Sequence, residues 1–286
     1  MSREGANLIA GVFSTVRLFH GEGAVWAEAW GGLRCVDMFV GDVLSFTPDG
    51  GASRHNVGSL AAMIRPCADG RAIVARRHDV VFWDEQGIHP LTTAFLSGRE
   101  RLNDGSCTPS GQLLVGSTTP GIPGAGRLFE VDASGAWAVV LGSVTTSNGI
   151  GFSPDGARAY YADSATGCLD AFDVADDGTL VGRRVLSTFD PGENPDGLWV
   201  DVDGGVWVAL YGGARVQRVL PNGSHDLSVT VPARHVTSCT FGGHDGSTIF
   251  ITTSREGLRP EEEPAAGLVF AAHVGIAGLP VLSFGG

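Results

Sequence analysis

Short apolar runs alternate with glycine-bearing turns along the whole chain, and the alternation has the period-two texture of strands rather than the 3.6 period of helices. Turn pairs stand at Gly31-Gly32, Asp69-Gly70, Ser110-Gly111, Asp155-Gly156, Asp203-Gly204 and Asp245-Gly246. After each of the last five comes an apolar stretch, at 71–75, 112–116, 157–162, 205–210 and 247–252. Further strands close on second turns, as 215–220 does before Pro221-Asn222-Gly223 and 169–174 before Asp176-Asp177-Gly178. The glycines of the last five turn pairs lie 41, 45, 48 and 42 residues apart. That spacing is the length of one propeller blade, and six such units fill 286 residues. The pattern therefore predicts an all-β, six-bladed β-propeller forming one domain over residues 1–286, with helix scarce. A β-sandwich or barrel is the competing architecture, but sandwiches do not keep a long regular period of this length. The stretch 14–19 is expected to pair into the last blade and cover its open edge.

The blade phase also selects residues. Eight positions before the turn glycines stand Ala62, Asn103, Asn148, Asp196 and Ser238, and nine before Gly31 stands Glu22. Equivalent positions on successive innermost strands ring the central channel. Glu22, Asn103, Asn148 and Asp196 should converge there, each followed within two residues by a glycine that permits close backbone approach. Two carboxylates and two amides buried together need a partner. A hard divalent cation suits carboxylate and amide oxygens. A ring of channel residues hydrogen-bonded to water is the plainer alternative.

Composition narrows the chemistry. All 19 basic residues are arginine, against 31 acidic ones, for a net charge of −12. The absence of lysine excludes phosphate loops and Schiff-base chemistry that depend on it. The acidic balance argues against a nucleic-acid partner. The apolar runs are too short to span a membrane, and residues 1–19 lack a convincing signal-peptide core. Five scattered cysteines without a Cys-x-x-Cys pair indicate neither a disulfide framework nor a thiolate zinc site. A cytoplasmic protein is expected, as a monomer or small homo-oligomer.

Four ordered segments then carry a resemblance. Gly21-Glu22-Gly23-Ala24-Val25-Trp26, Arg101-Leu102-Asn103-Asp104-Gly105, 147–156 (Ser-Asn-Gly-Ile-Gly-Phe-Ser-Pro-Asp-Gly) and Asn194-Pro195-Asp196-Gly197-Leu198 are similar to the signature blocks of the SMP-30/gluconolactonase/regucalcin family. The similarity runs from about residue 19 to 257. It implies a six-bladed propeller with one divalent metal in its channel, calcium first, with zinc, magnesium, manganese or iron as alternatives. It implies Glu22, Asn148 and Asp196 as metal ligands, Asn103 beside the metal, Arg101 on substrate oxygens, and hydrolysis of a small, sugar-type lactone. Two departures stand out. Ala24 replaces a proline usual in the first block, and Gly116–Gly126 stands where regucalcin-like members carry an acidic, sugar-binding residue, whose role Thr118 and Thr119 are expected to take in part.

The expected mechanism is polarisation of the lactone carbonyl and attack by an activated water, with Asp196 as the base and His235 as the alternative. Asp104 and Ser238 read as lying near the channel, with turn support the favoured role for Asp104, and His20 reads as a satisfied or surface histidine. A phosphotriesterase-like hydrolase and a non-catalytic calcium-binding propeller are the rival readings.

Overall fold

The computed structural model describes residues 7–259 and 261–285. The part of the N-terminal reading that rests on residues 1–6 lies outside them. Six sheets of four or five strands make up the fold. Five are consecutive up-and-down blades, whose inner strands are Gly21–Ala27, Ala61–Pro66, Arg101–Cys107, Ser147–Phe152 and Asn194–Val200. The sixth runs outward from Val236–Gly242 through Thr248–Thr253 and Val269–His273. Its fourth strand is Gly11–Ser14 from the other end of the chain, antiparallel to Val269–His273. Closure is thus made as expected, a few residues earlier than the stretch 14–19. Asn7–Ile9 adds a parallel fifth strand to blade five. Among the described residues the only helical pieces are two short turns, Glu28–Trp30 and Ser164–Thr166.

All six turn pairs lie between the first and second strands of their blades, as the pattern requires. Each turn glycine has a left-handed φ, between +67° and +89°, a conformation that costs an L side chain strain. The blades pack through their apolar faces, with Val25, Val74, Trp207 and Ile251 fully buried in one cluster.

One feature repeats in every blade. The ladder between the first and second strands slips early in the inner strand: between Glu22 and Val25, Ala61 and Met63, Leu102 and Gly105, Ser147 and Ile150, Pro195 and Leu198, and Val236 and Ser238. A bulge re-aims the side chains that flank it. Six bulges at one level of the propeller therefore turn a ring of residues toward the channel, and the polar ones among them form the site below.

Candidate active site in the propeller channel

Glu22, Asn103, Asn148 and Asp196 lie at or inside the bulges of blades one, three, four and five, and each is at most 5% exposed. The two silent phase positions, Ala62 and Ser238, are buried in the same ring. Neighbouring backbones supply the rigidity. Asp37, at the end of the second strand of blade one, accepts from the Phe19 and His20 N–H groups that lead into Glu22. Asp163 does the same for Thr145 and Thr146, ahead of Asn148. Two sequence-distant carboxylates thus hold the entry of the two inner strands.

Hydrogen bonding separates the two asparagines. Asn103 accepts from Arg101 Nη1 at 2.6 Å through Oδ1 and donates through Nδ2 to the Ser147 carbonyl at 2.8 Å. Both ends of that amide are occupied. Asn148 donates through Nδ2 to Ser164 Oγ at 2.9 Å, and the Ser164 hydroxyl donates in turn to the Pro195 carbonyl at 2.7 Å. This relay engages the amide nitrogen and leaves Oδ1 buried with no partner among the described residues; Asp196 Oδ1 is equally unpartnered. Glu22 accepts only the Gly23 N–H, at 3.0 Å, through Oε2, with His20 Nε2 3.7 Å from Oε1.

The electrostatics match this picture of crowded, dry carboxyls. Burial, then the Asp104 charge, raises the Glu22 carboxyl, with the Arg101 and Arg65 guanidiniums opposing. Burial, then Glu22 and Asp104, raises Asp196 well above the carboxylate range. Three carboxyls cannot all ionise in one dry space unless positive charge joins them. The donors that face the channel, two carboxylates and an amide oxygen, are the set a hard divalent cation takes. The residues present therefore fit such a cation.

Sequence reasoning missed part of the site. Asp104 belongs to the inner strand of blade three and not to a turn; it is 3% exposed, with burial raising its carboxyl. The bulge between Leu102 and Gly105 is what lets consecutive residues both serve the interior, and alternation alone cannot reveal it. His20 is buried and bonded to Ser254 Oγ at 2.8 Å. Burial, aided by Arg101 and His235, drops its pKa to about 3, so it is neutral. His235 stacks on Tyr211, centroids 4.1 Å apart, with Nδ1 unpartnered and its pKa lowered by burial. Thr118 pairs in register with Arg101, but its hydroxyl donates to the Thr145 carbonyl at 2.9 Å, joining blades three and four. Thr119 Oγ1 faces the Ala125 carbonyl at 3.4 Å. Arg101 lies half-buried with Phe39 over its guanidinium, 5.2 Å from the ring centre.

A six-bladed propeller whose inner strands present two carboxylates and a free amide oxygen at one end of the channel is the class that fold and site define. The family model described as the SMP-30/Gluconolactonase/LRE-like region matches residues 20–255, and the chain belongs to that family. It is 33% identical over 276 residues to the 6-deoxy-6-sulfogluconolactonase of Pseudomonas putida, covering 93% of this chain and 95% of that protein. Regucalcin of Oryctolagus cuniculus is 30% identical over 283 residues, with the same coverage. The solved structure of the calcium-binding protein regucalcin from Agrobacterium tumefaciens superposes with a TM-score of 0.91, covering 97% of this chain and 98% of that one. At 22% identity that last likeness concerns the fold. Among the described residues no helix is long and apolar enough to cross a membrane.

Proposed function

We propose that this chain is a divalent-cation-dependent hydrolase that opens a small lactone, with sugar-type lactones first among candidates. The observation that carries the reading is the pair of buried, unpartnered oxygens, Asn148 Oδ1 and Asp196 Oδ1, in one ring with Glu22. The lactonase name of the Pseudomonas putida relative supports the substrate class, and the calcium-binding regucalcin neighbour supports calcium as the first cation to test.

Glu22, Asn148 and Asp196 would hold the cation. When bound, it supplies positive charge that polarises the lactone carbonyl and steadies the oxyanion as the carbonyl carbon becomes tetrahedral. Arg101 donates to substrate oxygens, and Asn103 holds the guanidinium at the angle that binding needs. Asp196 takes a proton from the attacking water and returns it to the ring oxygen as the ring C–O bond breaks. The product is a hydroxy acid, which releases one proton to solvent at neutral pH.

That proton makes pH-stat titration the direct test. Chelator-stripped protein is assayed on five- and six-membered aldonolactones, an aliphatic lactone and a phosphotriester, with Ca, Mg, Mn, Fe and Zn added back singly. Turnover of a lactone that one cation restores, and that Glu22→Gln abolishes, is the expected result. Cation binding without turnover of any lactone would overturn the enzymatic reading, and turnover of the phosphotriester alone would move the reaction class.

A further inference from the structure

The end of the channel opposite this ring is crossed by the C-terminal segment, which works as a strap over the propeller. It is fastened to blade five by Leu279 N–H to the Val200 carbonyl and by Trp199 Nε1–H to the Leu279 carbonyl, both 2.9 Å. It is fastened to blade two by Phe284 N–H to the Pro66 carbonyl, also 2.9 Å, and to blade three by Gly285 N–H to Gly111 at 2.7 Å. Between strap and inner strands lies a cavity of about 380 Å³, walled by Ile150, Phe152, Leu198 and Leu282, with Arg65 as its cationic member and Asp155 as its anionic one. Small-molecule sites are of this size and this mixture, mostly apolar wall with a few polar groups.

Arg65 is the unusual residue. It is 6% exposed, yet its only hydrogen bond runs from Nη1 to the Ile64 carbonyl at 2.7 Å. Nε has no partner among the described residues, and Nη2 forms a long ion pair with Asp104 Oδ1, 3.8 Å away and beyond hydrogen-bond reach. The Nε/Nη2 edge, the side of a guanidinium that takes a carboxylate through two parallel bonds, is thus unused. A buried guanidinium whose Nε is unmet and whose Nη2 has only a long ion pair is costly, and an anionic group that completes the fork reduces that cost. One guanidinium already within the field of Asp104 balances a single negative charge at most. The apolar walls ask for a hydrocarbon body behind it.

We propose that this cavity is a second binding site, separate from the channel ring, for a small amphipathic carboxylate whose head pairs with Arg65 and whose apolar body lies under the strap. The inference does not rest on the lactonase reading, because it needs no turnover, although Arg65 also stands 3.8 Å from Asp104 of the ring.

Calorimetric titration of the whole protein with octanoate and phenylacetate, with octanamide as the neutral control, tests it. Saturable one-to-one binding of a carboxylate, at least about tenfold tighter than octanamide, is expected, since a hydrogen bond to a charged group is worth that factor or more. Arg65→Met should weaken the carboxylate by about the same factor and leave octanamide unchanged. Leu282→Trp fills the cavity without touching the guanidinium; it should abolish both while the melting temperature stays near that of the parent. Absence of saturable binding, the mark of a cavity that holds only water, would overturn the proposal. So would equal affinity for octanoate and octanamide, or binding that survives Leu282→Trp.

Discussion

Arg101 donates to Asn103 Oδ1 at 2.6 Å, and the same amide reaches across to blade four through its bond to Ser147. Asn103 therefore has its oxygen engaged by Arg101, although it occupies the same repeat position as Asn148. One asparagine has its oxygen engaged by a guanidinium of the protein; the other has an oxygen with no partner among the described residues.

That division predicts opposite failures. Asn103→Ala should raise KM and lower kcat/KM by roughly tenfold to a hundredfold, the worth of a charge-assisted hydrogen bond, while cation affinity stays near that of the parent. Steady-state kinetics beside calorimetry of the cation would read both, and a large loss of cation affinity would refute the positioning role.

Glu22→Gln, Asn148→Ala and Asp196→Asn should each weaken the cation by more than about a hundredfold, because even residues that only support metal ligands cost ten- to a hundredfold when changed. Cation titration of the three variants is the check. Asn148→Ala with undiminished affinity would remove that amide from the ligand set.

The ring also sets a pH dependence. Glu22 rises from an ordinary 4.5 to about 8, first by burial and then by the Asp104 charge. Between those values the folded, cation-free chain holds a proton that the unfolded chain has released. Stability of the stripped protein therefore falls as pH rises through that window. Cation binding must displace the proton, so affinity rises with pH over the same range. Melting temperatures of stripped and loaded protein at about pH 5 and pH 8, with Glu22→Gln as reference, would show the sign; a stripped protein that gains stability toward pH 8 contradicts it.

His20 should take no part in titration near neutrality. Burial, with Arg101 and His235 nearby, holds its pKa near 3. Its imidazole NMR shifts should stay flat between about pH 5 and 8, where an ordinary histidine titrates, and an inflection there would contradict its neutral state.

Gly149 guards the junction of blades four and five. A Cβ there would come within 2.6 Å of Leu198 N and 2.7 Å of the Asp196 carbonyl, both rigid backbone. Gly149→Ala should cost about 1–3 kcal/mol, the usual penalty of overpacking, and should loosen the cation by moving Asp196. Denaturant melts and cation titration together would test both effects.

Much of this was legible in the chain itself. The turn glycines gave the blade count and phase because a left-handed turn at each inner hairpin leaves a recoverable mark in sequence. The phase in turn led to Glu22, Asn103, Asn148 and Asp196, since equivalent positions on repeated strands face the same axis. The assignment of Asp104 to a turn failed because a bulge, set by pairing with the next strand, broke the alternation on which the reading relied.

What the sequence determined by itself is therefore the repeat and everything tied to its period: strand order, closure through the N-terminal strand, and which residues encircle the channel. What only the tertiary structure decided is the state of each polar group in that ring. Ser147 lies 44 residues from Asn103, and Ser164, which accepts from the Asn148 amide, donates in turn to the Pro195 carbonyl, 31 residues on. Which oxygen is left free depends on hydrogen bonds across blades, and no local pattern encodes them. The strap and its cavity with Arg65 follow the same rule, because contacts between the C-terminus and blades two, three and five exist only once the propeller has closed.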